Sequence, residues 1–199
     1  MYAAVIRPWS TLKLRAAVNK NEIVKIHFGS GAHRLNGWIN VDLNFRCHPD
    51  VILDVGKCIP VPDASVDHIF SEDLIEHLEY KDDKFFIQEC YRILKPGGIM
   101  RILTPNLEAI VRQYVDRDVG TLNWYDKEYG CRTFGEMLNA AMRGMGHRFI
   151  YDEETLRLAL EEAGFKVQQQ SYNKSYSPHL CGLDIRGSGS SLFLDCIKH

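Results

Sequence analysis

Val24-Lys25-Ile26-His27-Phe28-Gly29-Ser30-Gly31 and, a few residues on, Gly37-Trp38-Ile39-Asn40-Val41-Asp42 read as a buried strand, a glycine turn and a second strand that ends in a carboxylate. Neither glycine of the turn carries a Cβ, so the backbone there can pass close to a ligand. An acid at the tip of the next strand is where a doubly wound α/β sheet receives ribose hydroxyls. The two features together imply a nucleoside-containing cofactor.

Working outward, the pattern keeps alternating between strand and helix. Residues 10–19 have the spacing of a short amphipathic helix with Ser10 as its cap. Strands are expected over about 23–28, 38–42, 51–54 and 66–70, the last ending near Ser71. Helices are expected over about 72–79 and again from Asp82-Asp83, where Phe86, Ile87, Cys90, Tyr91 and Leu94 recur at helical spacing. Lys95-Pro96-Gly97-Gly98 stops that helix, because proline cannot continue it and glycine tolerates the left-handed turn. A fifth strand covers 99–103 and a helix starts near Asn106. Residues 117–149 show no regular period, only aromatics and methionines. Asp152 caps a further helix, with Glu153 and Glu154 opposing its dipole and Gly164 ending it. Residues 165–172 and 191–197 complete the set as strands.

This order predicts an α/β fold, a three-layer sandwich around a mostly parallel seven-stranded sheet with an antiparallel C-terminal strand pair. The chain has 199 residues, 45% of them apolar and 25% charged. That suits a single domain over 1–199, with 1–20 as a helical extension and 117–149 as a lid over the substrate. Lys and Arg number 24 against 26 acids, a net charge of −2. Such a balance offers no footprint for nucleic acid or an anionic membrane. No apolar run reaches the roughly 20 residues of a membrane span, and the N-terminus lacks the pattern of a signal peptide. The six cysteines form no CxxC or Cys/His pair at zinc spacing. They read as reduced thiols of a cytoplasmic protein, and no metal site is expected.

A dinucleotide fingerprint needs a third glycine, with its ribose acid roughly 20 residues further on. Arg34 occupies the third glycine position and Asp42 follows Gly29 by about 13 residues. Nicotinamide is therefore disfavoured, and no Walker loop is present. The motifs further along resemble the class I S-adenosylmethionine-dependent methyltransferases. They are Phe28-Gly29-Ser30-Gly31, Asn40-Val41-Asp42-Leu43, Leu53-Asp54-Val55, the run from Ile59 to Ile69, Leu74-Ile75-Glu76-His77-Leu78 and Glu89 to Gly98, then more loosely Gly146-His147-Arg148-Phe149 and Leu156 to Phe165. Each motif is weak alone; their order and spacing are specific.

The resemblance implies S-adenosyl-L-methionine as cofactor and assigns its contacts. The Gly29-Ser30-Gly31 turn would run against the methionine part. Asp42, followed by Leu43, would take the ribose hydroxyls. Asp54 and the backbone of Val55 would hold the adenine edge, and Ser71 would face the methionine end. His27 stands where the family usually carries an acid. A neutral imidazole there can hydrogen-bond but brings no negative charge. About ten residues between the glycine turn and the second strand leave no room for the usual helix, so that edge is expected to be thin, with Arg34 near the cofactor carboxylate.

Methyl transfer to an alcohol benefits from a base that takes the hydroxyl proton. His77, just after the fourth strand, is the first candidate and His147 the second. The acceptor is expected to be a small or medium polar molecule methylated on oxygen, a saccharide or natural-product hydroxyl first. A catalytically silent cofactor-binding module is the alternative, and either a monomer or a homodimer suits the chain.

Overall fold

A computed structural model describes residues 2–20, 22–187 and 189–199, with side chains from residue 11 onward. The sheet has seven strands in the order β3-β2-β1-β4-β5-β7-β6. These are β1 (Lys25–Phe28), β2 (Ile39–Asp42), β3 (Val51–Ile52), β4 (Val66–Glu72), β5 (Leu94–Pro105), β6 (Lys166–Gln169) and β7 (Ser191–Ile197). The first five are parallel to one another; β7 runs antiparallel to both β5 and β6. The strand order reverses between β1 and β4, which opens a crevice at the carboxyl ends of the strands.

Side-chain alternation gives the sheet two different faces. Ile26, Phe28, Ile69, Met100, Ile102 and Leu194 point into the main core. There they meet helices α1 (Tyr2–Lys20), α2 (Tyr80–Ile93) and α6 (Glu153–Glu162) through Leu14, Val18, Phe86, Ile87, Leu156 and Leu160. The intervening residues Phe70, Leu103 and Phe193 form a second cluster with Trp38 and Leu180. The layer on that face is chain without regular helix, from residues 29–38 and 171–187. The short connection between β1 and β2 leaves no helix there, as its length predicts. Trp38 and Leu180 fill the space a helix would occupy.

Several local expectations shift. The N-terminal helix runs through Ser10 instead of starting at it. No helix forms over 72–79. β4 continues to Glu72, Asp73 turns the backbone to φ +50°, and a single 3-10 turn covers Ile75–His77. Glu72 explains this, because its buried carboxylate accepts the backbone N–H groups of Ile185 and Arg186 and pins the strand end. Helix α2 begins at Tyr80 with Glu79 as its cap position, so Asp82 and Asp83 lie in the first turn. It ends at Ile93, and Lys95-Pro96-Gly97-Gly98 belongs to the start of β5, with Gly97 at φ +78°. The third and sixth strands are shorter than expected.

The irregular reading of 117–149 is corrected. Helix α3 (Leu107–Val115) is followed by α4 (Val119–Tyr129) and α5 (Phe134–Arg143). Asp118 caps α4, and Thr133 with Glu136 forms a reciprocal capping box on α5. Asp152 caps α6 as expected, accepting the Thr155 N–H at 2.8 Å. None of the cysteines is disulfide-bonded among the described residues, and no described helix is long and apolar enough to cross a membrane.

Candidate active site

The glycine turn is fastened to β2. The N–H groups of Gly29 and Ser30 donate to the Val41 carbonyl at 2.9 and 3.1 Å. Gly31 N–H donates to Asp42 Oδ2 at 2.7 Å, and Asn44 N–H to Oδ1 at 2.7 Å. Gly29 has φ +71°, and a Cβ there would stand 2.8 Å from Leu74 Cβ, so no other residue fits. These bonds fix the Asp42 carboxylate at the rim of a cavity of about 450 Å³ that Leu43, Asp54, Val55 and His77 also line. Asp54 is oriented by Gly56, whose N–H donates to its Oδ1 at 3.2 Å.

A second cavity of about 420 Å³ opens beside the first, and Gly29 and Asp73 line both. His27, Ser30, Glu72 and Arg186 form its floor, and Trp124, Tyr125 and Tyr129 form an aromatic wall. Arg186 Nε bonds the Asp73 carboxylate at 2.6 Å. His27 is 2% exposed. Burial lowers its pKa to about 4, against the pull of Asn40 and Asp42, so the ring is neutral at pH 7. Its Nδ1 and the Ser30 hydroxyl are buried without a hydrogen-bond partner. Unpartnered buried polar atoms in a cavity wall mark where a polar ligand would bind.

Beside the first cavity, which His77 lines, the chain brings three titratable side chains together. The His77 and His147 rings lie 5.0 Å apart, centroid to centroid. One ligand atom each from Glu76, His77 and His147 lie within 4.8 Å of one another. His147 Nδ1 sits 2.8 Å from the Ala141 carbonyl, an acceptor only, so Nδ1 carries the proton and Nε2 presents a lone pair. Burial pulls the His147 pKa down. Glu76 is fully buried; Thr104 Oγ1 donates to its Oε2 at 3.0 Å. Desolvation first and the Asp73 charge second raise its pKa to about 8.

Residues 39–102 match the family model of a methyltransferase domain. A probable S-adenosylmethionine-dependent methyltransferase of Mycolicibacterium smegmatis is 48% identical over 132 residues, 66% of this chain and 40% of that protein. Over that stretch the chain is similar to a methyltransferase domain, and its fold is that of the class I S-adenosylmethionine-dependent methyltransferases. It spans less than half the length of the curated relatives it matches. The fold is similar to a SAM-dependent methyltransferase from Archaeoglobus fulgidus at TM-score 0.58, with 16% identity, 96% of this chain and 94% of that one. A possible histamine N-methyltransferase from Thermotoga maritima superimposes at 0.54, with 18% identity over 98% and 92% of the two chains.

The two cavities gather most of the residues expected from sequence. Gly29, Ser30, Gly31, Asp42, Leu43, Asp54 and Val55 line them with His27 and His77, while His147 packs against His77 and lines neither. Two expectations fail. Arg34 does not face the groove; it pairs with Asp50, whose other oxygen holds Asn40, so its charge is spent on the β2 edge. Ser71 is fully buried and points to the helix-covered face, because alternation along β4 sends Glu72 to the groove instead. Arg186 was missed, whereas Glu72 and Asp73, which fall in the helix expected over 72–79, line the second cavity instead. Arg186 lies on a connection whose sequence has no period, and only the fold brings it to the end of β4.

Proposed function

We propose that this chain transfers the methyl group of S-adenosylmethionine to an oxygen of a small or medium polar acceptor, a saccharide or natural-product hydroxyl first. The observation that carries the proposal is the two adjoining cavities that share Gly29 and Asp73, one lined by the Asp42 and Asp54 carboxylates with His77, the other by an aromatic wall. The orphaned polar atoms of His27 and Ser30 fit the methionine end of that cofactor. Asp42 takes the ribose hydroxyls, Asp54 with the Val55 backbone the adenine edge, and Arg186 replaces Arg34 as the cation at the methionine carboxylate. When bound, the cofactor supplies an electrophilic methyl on a sulfonium.

The residues contribute position and charge. Glu72 and Asp73 place negative charge near the sulfonium end of the groove, which stabilises a cation there. Trp124, Tyr125 and Tyr129 offer flat faces on which a sugar ring can stack. His147, with its lone pair on Nε2, and His77 deal with the hydroxyl proton. Holding the two reactants in line is worth several kcal/mol of barrier in such bimolecular steps, on the order of 7 or more.

Thermal-shift measurements with S-adenosylhomocysteine, S-adenosylmethionine and NAD test the cofactor. A ligand of the folded state raises stability by roughly 2.7 kcal/mol at a hundred times its Kd. Both sulfur ligands should raise Tm, and Asp42→Ala should remove the shift. A shift with NAD alone overturns the reading. S-adenosylhomocysteine release over a panel of saccharide and natural-product alcohols tests transfer. Binding with no release over that panel would favour a silent cofactor-binding module.

A further inference from the structure

Glu76 is the most buried carboxyl near the groove, and one of its oxygens has no partner. Oε2 is held by Thr104; Oε1 is orphaned at 0% exposure of the residue. The same pocket receives the Nε2 lone pair of His147, whose orientation is fixed by the Ala141 carbonyl behind it. That is the arrangement of a metal-ligating histidine, one ring nitrogen donating to a backbone carbonyl and the other free to coordinate. His77 follows Glu76 directly and closes the third side. Gly146, at φ +85°, brings backbone alone against the His77 ring; a Cβ there would lie 3.7 Å from Nδ1.

We propose that Glu76, His77 and His147 form a binding site for a divalent first-row cation such as Zn2+ or Mn2+, beside the cavity that His77 lines. Two imidazoles and one carboxylate on one side of an ion suit these metals and leave coordination positions free. The ligand atoms stand within 4.8 Å of one another. Bonds of about 2.1 Å draw such atoms to roughly 3–4 Å, a movement that rotation of the half-buried His77 ring supplies. Spacing along the chain hid this site, because His147 reaches it only through the return from α5.

The cation gives the cluster a specific task, and this part rests on the methyl-transfer reading above. An acceptor hydroxyl that meets the ion becomes more acidic. Its proton leaves to solvent in the groove, an oxygen lone pair forms the new O–C bond, and the S–C bond pair stays on sulfur as the cofactor product leaves uncharged. With the cation bound, the two rings coordinate it in place of taking the hydroxyl proton themselves, the role they hold in the metal-free site.

The test begins with purified protein stripped by chelator and desalted. Mn2+ is titrated by calorimetry, and Co2+ by its visible absorption. One equivalent of Mn2+ should bind. The Co2+ spectrum should show ligand-field bands without the thiolate charge-transfer that cysteine binding would give. Glu76→Gln and His147→Ala should each weaken binding at least tenfold. If either variant fails to fold by thermal melt, His77→Ala carries the test, since that ring is half-buried. Wild-type protein that binds S-adenosylhomocysteine yet takes up no stoichiometric Mn2+ overturns the site, as does binding unchanged in the folded variants. Loss of S-adenosylhomocysteine binding by the wild type would instead strike the cofactor reading, so the two failures are distinguishable.

Discussion

Asp83 is an acid whose protonated form the interior favours. It is fully buried in the first turn of α2, and Tyr151 Oη donates to its Oδ2 at 2.6 Å while Oδ1 has no partner. Desolvation dominates and raises its pKa from the ordinary 3.8 to about 6, the Tyr151 hydrogen bond opposing. The folded pKa is the higher one, so its stability contribution is complete below about pH 4 and is lost as pH rises through 6. Asn at this position keeps a partner for Tyr151 and has no proton to lose. Asp83→Asn should therefore gain on the wild type by ~2–3 kcal/mol between pH 4 and 6 and no further above, at about 1.4 kcal/mol per pH unit. Urea unfolding at pH 4, 5, 6 and 7 measures this, and a constant difference between the two proteins would refute it. At this scale the sequence showed which residue types matter better than where they point. Asp42 was legible because it ends a strand and Asp54 because it closely follows one, and both line the same cavity. Arg34 and Ser71 were not, because a nearby acid captured the first and β-alternation turned the second inward.

The connection 171–187 shows how an element without regular structure is held in place. Arg101 in β5 grips both Asp184 oxygens, at 2.7 and 2.6 Å, and Asp195 of β7 at 3.1 Å, all fully buried. Asp195 in turn accepts Ser175 Oγ and the Tyr176 N–H at 2.8 Å. The next residues, Ile185 and Arg186, donate to Glu72 and form the cavity wall. Arg101→Met removes one charge and strands two buried carboxylates, a loss typically of about 3–5 kcal/mol. Chemical denaturation should show it, together with weaker S-adenosylhomocysteine binding because Arg186 loses its anchor. Unchanged cofactor affinity in a destabilised variant would show that the loop docks without Arg101. None of this was visible in the polar, glycine-rich sequence, whose partners lie in β5 and β7. The helices within 117–149 were readable in part. Thr133-x-x-Glu136 is a capping-box signature, but the exposed Trp124 and Tyr129 beside it obscured the apolar stripe that period analysis seeks.

Across the whole molecule, the cavity of Asp42 and Asp54 rests on the strands and the aromatic cavity on α4, an element inserted after the parallel strands. Residues 39–102, the family match, supply β2, β3, β4 and much of β5, so the first cavity was legible in the sequence while the second, proposed as the acceptor's, was not. The division makes a separable prediction. Trp124 is 49% exposed and touches the groove only at the acceptor cavity, with Tyr125 at 4.8 Å and Tyr129 at 5.7 Å between ring centroids. Removing one aromatic face from a stacked ring costs roughly 0.5–1.5 kcal/mol, about a threefold to tenfold change in affinity. With an acceptor found in the alcohol panel, Trp124→Ala should raise its KM by that factor and leave the Kd of S-adenosylhomocysteine unchanged by calorimetry. Asp42→Ala should do the reverse. The two sites share no partner, so in the double variant the effects should add within about 0.5 kcal/mol. A Trp124→Ala variant that weakens both ligands equally would mean that α4 closes over the cofactor as well, and that acceptor and cofactor occupy one cavity instead of two.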